Sequence, residues 1–86
     1  MRSEGAMMWA TGQRLRALRE AEGLGQHAFA KLIHCSQSTL SCWELGQRLP
    51  DAHSMAWVAT QCHVTLDYIY MGRLDGIAAR NDYSIA

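Results

Sequence analysis

No apolar run in this 86-residue chain approaches the ~18 residues a membrane span needs, which excludes a helical membrane protein at the outset. The opening segment MRSEGAMMWATG has no long apolar stretch either, so a secretory leader is not expected and a cytoplasmic location is. Three cysteines, Cys35, Cys42 and Cys62, are an odd number without a C-x-x-C pair, which argues against a disulfide framework. Four histidines accompany them, with HC at His34–Cys35 and CH at Cys62–His63. Structural zinc ligands are usually paired two to four residues apart, whereas adjacent helical residues point in different directions. No metal or cofactor is expected. Gly-rich phosphate loops and nucleophile motifs are missing as well, and His27 and His53 read as surface residues, so the chain is not expected to be an enzyme. Charge of one sign is also wanting: 8 basic and 8 acidic residues cancel. The balance is uneven along the chain, with six basic against four acidic residues up to Pro50 and two against four after it. That polarity is too mild to indicate nucleic acid by itself.

What is present is a globular composition, 49% hydrophobic and 19% charged, in a chain the size of one domain. Alternation of β-branched residues is absent. Gly23, Gly46 and Gly72 each follow an apolar-periodic stretch, as a helix C-terminal glycine does, while Ser36, Asp51 and Thr65 each precede one, as an N-cap does. This punctuation predicts an all-α fold of five short helices, over residues 10–22, 26–33, 37–45, 53–62 and 66–71. The faces expected to be buried carry Leu15 and Leu18; Phe29, Ala30 and Ile33; Leu40 and Trp43; Met55, Val58, Ala59 and Cys62; and Leu66 and Ile69. Residues 1–9 read as an N-terminal extension, 10–72 as the domain, and 73–86 as a tail whose Leu74, Ile77, Tyr83 and Ile85 could pack on something.

Only His34, Cys35 and Ser36 separate the second and third predicted helices. Two short helices joined by so short a turn cross steeply, the geometry of a helix-turn-helix, although plain helical bundles contain such hairpins too. The turn wants a residue that tolerates positive φ, and His34 stands where glycine is usual.

The stretch GQRLRALREAEGLGQHAFAKLIHCSQSTLSCWELGQRLP resembles the Cro/phage-repressor type of helix-turn-helix domain, and the likeness continues through TQCHVTLDYIYMG, covering Gly12 to Gly72. The shared features are the RLRxLR opening, Gly-Leu-x-Gln before the second helix, Ala30, SxST opening the third helix, then WExG and Pro50. The resemblance implies a compact five-helix DNA-binding bundle with the third helix, residues 37–45, reading the major groove. It also implies a dimeric transcriptional regulator of bacterial or phage origin, binding a near-palindromic operator. In that family residues matching Gln37, Ser38 and Cys42 touch base edges, and Ser41 shares their exposed face. Gln37 can bond an adenine through N6 and N7, and Ser38 can donate or accept with several bases. Cys42 departs from the Arg, Lys or Gln often found there, and a thiol suits a thymine methyl better than a hydrogen bond. The residue matching Gln26 contacts phosphate, and Thr39 and Arg48 are further phosphate candidates.

Glu44, directly behind Trp43, would be costly if buried without a partner. The family pairs the matching acid with a first-helix arginine, here Arg19, which trails Leu15 and Leu18 on the inner side of its helix. For dimerisation the candidates are Trp57, on a helix face that should be polar, and Tyr68, Tyr70 and Met71 on the last helix. Trp57 could equally pack on the N-terminal MMW or on the tail. The alternative to an operator-binding repressor is an antitoxin or protein-interaction module with weak or lost DNA binding, which the neutral charge and Cys42 would suit. No ligand-sensing domain is expected beyond residue 86.

Overall fold

In the computed structural model residues 4–74 are described, and among them five α-helices succeed one another without a strand: α1 (Glu4–Ala21), α2 (Gln26–Leu32), α3 (Gln37–Glu44), α4 (Ala52–Cys62) and α5 (Leu66–Met71). The helix starts obey local capping chemistry. The side chains of Ser36, Asp51 and Thr65 accept hydrogen bonds from the backbone N–H of Thr39, Ser54 and Tyr68, closing α3, α4 and α5 at their N-termini. Gly23, Gly46 and Gly72 all take positive φ at helix ends, as their placement predicts. A second histidine, His63, ends α4 in the left-handed region at φ 58°, a stop that no glycine announces in the sequence.

The largest departure is α1, which begins at Glu4 rather than at residue 10. Glu, Ala and Met in EGAMMWA are good helix formers, so nothing local stops the helix there. Tertiary contact then holds it: a Cβ added to Gly46 would lie 2.9 Å from the Cα of Trp9, so the turn after α3 rests on the backbone of α1. Elsewhere the boundaries move by one residue, with Ile33 and Leu45 serving as C-caps of α2 and α3. The expected tail contacts of Ile77, Tyr83 and Ile85 lie outside the described residues.

The core joins Leu15 and Leu18 of α1, Phe29 and Ala30 of α2 with Ile33, Leu40 and Trp43 of α3, Met55, Val58 and Cys62 of α4, Val64, and Ile69 of α5. Each fully buried side chain of this kind contributes about 1.5–3 kcal/mol from leaving water. Ala59 is half-buried against the cluster. Leu66 is the exception to the predicted core: as the first residue of α5 it points outward and stays 38% exposed, while Ile69, one turn later, fills the inward place.

Two arginines of α1 fasten other helices. Arg14 donates from Nε to the Ile69 carbonyl at 2.9 Å and from Nη2 to the Tyr70 carbonyl at 3.0 Å, joined by the Thr11 hydroxyl at 3.4 Å from the latter. These groups satisfy carbonyls in the last turn of α5, where a cation also complements the helix dipole. Arg19 reaches α3 and is described below.

Candidate nucleic-acid interface

The turn between α2 and α3 comprises residues 33–36. It is closed by the Cys35 N–H donating to the Ala30 carbonyl at 2.9 Å, with His34 at φ 65°. Histidine tolerates this conformation less readily than glycine, and here a contact accompanies it. The imidazole stacks on the indole of Trp57, ring centroids 4.3 Å apart at 30°. Trp57 remains 43% exposed, and among the described residues its ring partner lies in the helix-turn-helix turn itself.

Three features of the sequence orient α3. Its inner positions, Leu40, Trp43 and Glu44, are buried. On its outer side Gln37 and Ser38 are exposed, Ser41 and Cys42 are half-buried, and Leu45 at the C-cap is 57% exposed. At its base Gly12 of α1 lets the helices approach so closely that an added Cβ would stand 2.2 Å from the Trp43 carbonyl oxygen. A glycine inside a helix costs roughly 0.5–1 kcal/mol relative to alanine. Here it is required by backbone meeting backbone. Gln13 adds a hydrogen bond from Nε2 to the Glu44 carbonyl at 3.3 Å.

Glu44 itself is 4% exposed and fully engaged. Arg19 donates from Nε to Oε2 at 2.7 Å and from Nη2 to Oε1 at 3.1 Å, the expected two-pronged pair. Its third nitrogen, Nη1, donates to the Leu24 carbonyl at 2.8 Å, tying the α1–α2 loop to the same group. The carboxylate holds the guanidinium's pKa above its ordinary value, mainly through these hydrogen bonds. Gln26 supplies a further donor, Nε2 to Oε1 at 3.1 Å. The side-chain amide of Gln26 thus serves α3, while Gly25 before it provides no side-chain cap for the first N–H groups of α2. One carboxylate thereby fixes α1, α2 and α3 relative to one another.

The remaining candidates occupy different settings. Ser36 Oγ accepts from the Thr39 N–H at 3.1 Å and donates to Thr39 Oγ1 at 2.8 Å, which leaves the threonine hydroxyl proton free for an outside acceptor. Ser38 Oγ lies 3.3 Å from Ser36 Oγ. Arg48 is exposed in the loop after α3 with no ion-pair partner among the described residues, whereas Arg16 pairs with Glu20 along the surface of α1 at 3.1 Å. On α5, Tyr68 is half-buried against the core, and Tyr70 is half-buried with its hydroxyl donating to the Pro50 carbonyl at 2.8 Å. Burial, with Asp51 nearby, raises the Tyr70 pKa. Met71 is 58% exposed and, with Met7, Ala10, Arg14 and Tyr70, lines a cleft of about 330 Å³ between α1 and α5. Gly12, Gln13, Arg14 and the second use of Gln26 escape sequence reading. Of these only Gly12 has a local signal, a glycine inside an otherwise unbroken helical pattern.

A family model described as a helix-turn-helix domain matches residues 10–67. The chain belongs to this helix-turn-helix family, of the Cro-like type. Neither a search of curated proteins nor one of solved structures returned a significant match. The family implies DNA as the partner and a DNA-binding regulator as the class, and its members are typically not enzymes. No helix among the described residues is long and apolar enough to cross a membrane.

Proposed function

We propose that this protein is a sequence-specific regulator of transcription that binds duplex DNA as a homodimer, acting as a repressor of the phage or mobile-element type. The observation that carries this reading is the pairing of a clamped inner face with a polar, outward-facing one on α3. Glu44, held by Arg19 and Gln26, fixes the helix from beneath, while Gln37, Ser38, Ser41 and Cys42 lie along its outer side. A helix fixed from beneath that carries hydrogen-bonding side chains on its outer side is suited to reading base edges. Phosphate contacts are assigned to the first-turn backbone N–H groups at Gln26, to the Thr39 hydroxyl and to Arg48. The contacts then divide into base-reading side chains on α3 and positioning groups around it.

The dimer surface is assigned to α5, where Met71 and the neighbouring cleft present apolar surface among the described residues, with Trp57 as the secondary candidate. Two-fold pairing would set the two α3 helices to meet half-sites about 34 Å apart on a near-palindrome. Few cations lie on this face, so tight binding requires both subunits. Fluorescence anisotropy with the DNA upstream of the protein's own gene tests the reading. Binding should weaken with salt at a shallow slope, each neutralised phosphate contributing about 0.9 to it. Absence of binding at low salt would overturn the proposal in favour of a protein-interaction module.

A further inference from the structure

The outer face of α3 changes character along its length. At about 100° per residue, Ser38, Cys42 and Leu45 fall within about 60° of arc, centred opposite the buried Leu40, Trp43 and Glu44. They therefore form the crest of the helix, while Gln37 stands about 100° from Ser38 at its edge. Leu45 keeps helical backbone angles as the C-cap, φ −84° and ψ −3°, so it continues the stripe. Among the described hydrophobic residues it is one of the most exposed, at 57%, and nothing in the described fold covers it. From Ser38 to Leu45 the crest runs about 10 Å, or three base steps of about 3.4 Å.

An isobutyl side chain at that position can neither donate nor accept. Of the groups on the major-groove edges of the four base pairs, the C5 methyl of thymine is the one an apolar side chain matches. We propose that Leu45 is a specificity-determining residue that reads a thymine methyl, with Cys42 one turn earlier extending the same apolar edge. The half-site thus has a polar end, read by Gln37 and Ser38, and a thymine-bearing end, read by Cys42 and Leu45. This rests on the DNA-reading role of α3 proposed above.

The test starts with selection of bound duplexes from a random DNA pool by the full chain. Each thymine of the selected site is then replaced singly by deoxyuridine, which removes the methyl group and nothing else. One such replacement should weaken wild-type binding about fourfold, the effect of withdrawing one methyl-sized apolar contact. Leu45→Ala should bind the thymine duplex more weakly and be indifferent to that same replacement. Its thermal melt should match wild type, since the side chain is exposed. If a defined site emerges but every uracil penalty is the same in Leu45→Ala as in wild type, Leu45 does not read thymine, and the DNA-reading role of α3 survives. If Leu45→Ala leaves DNA binding intact but abolishes capture of a protein partner, the crest serves that partner and the proposal fails. A pool that yields no enriched sequence overturns both readings together.

Discussion

Replacing Arg19 with alanine should be among the most damaging single changes open to this protein. The substitution removes both prongs on Glu44, at 2.7 and 3.1 Å, and the bond to the Leu24 carbonyl at 2.8 Å. Glu44 would keep the single donor from Gln26 while remaining almost completely excluded from water. Surface ion pairs contribute at most about 1 kcal/mol, because water solvates the survivor. A buried carboxylate deprived of its partner is another case, and the loss should be about 3–5 kcal/mol. For a domain of this size each kcal/mol lowers the melting temperature by about 4–8 °C, so the melt should fall by more than about 12 °C. Chemical and thermal denaturation followed by circular dichroism would measure it. The doubly apolar variant Arg19→Met with Glu44→Met should be less impaired than Arg19→Ala alone, because no charge is stranded. The pair should also be insensitive to alkali across the ordinary range. The fold raises the Arg19 pKa above its already strongly basic ordinary value, so its contribution is complete below that ordinary value and fades only as pH climbs through the higher folded one. A loss under about 1 kcal/mol for Arg19→Ala would refute the reasoning, placing the pair with those at the surface.

Three further outcomes follow from other parts of the fold. Gly12→Ala should destabilise by about 1–3 kcal/mol despite alanine's better helix propensity, because its Cβ would meet the Trp43 carbonyl at 2.2 Å; a more stable variant in urea titration would contradict the close approach. His34→Ala should lose about 1–2 kcal/mol, from a left-handed backbone without a tolerant residue and from the lost stack on Trp57, whereas His34→Gly should recover the backbone part; equal melts for the two would show that the backbone conformation costs nothing. Burial pushes the Cys62 thiol up to about 12 from the ordinary 9.0, with Glu22 adding to the effect. The unfolded chain therefore ionises first, and stability should be complete below pH 9 and decline toward pH 12 by about 1.4 kcal/mol per unit. Cys35 and Tyr70 shift in the same direction, so Cys62→Ala should reduce that alkaline slope without abolishing it.

Local chemistry makes much of this protein legible from its residues alone. Serine, aspartate and threonine caps form hydrogen bonds within three residues of themselves, so Ser36, Asp51 and Thr65 mark helix starts wherever the rest of the chain goes. Apolar periodicity likewise identifies the core of α1 to α4, since a side chain's face follows from its place in the helical repeat. The WExG and SxST motifs and the short turn between α2 and α3 carry the family resemblance, which the matched family model bears out. Glu44 announces its need for a partner because an acid beside a core tryptophan cannot remain unpaired at small cost.

Tertiary structure decides what depends on two distant segments meeting. Nothing local shows that the extended α1 meets the turn after α3 at Trp9, which backbone Gly12 leaves room for where α1 crosses α3, or that Arg14 serves the end of α5 rather than solvent. Gln26 is the sharpest instance. The family resemblance marks it as a phosphate contact, and nothing in the sequence shows that its amide is spent on Glu44, 18 positions away. Helical periodicity reports which face of a segment turns inward, but not which groups from other segments wait there. Those partners are set by helix crossing, and a one-dimensional pattern contains no crossing angles.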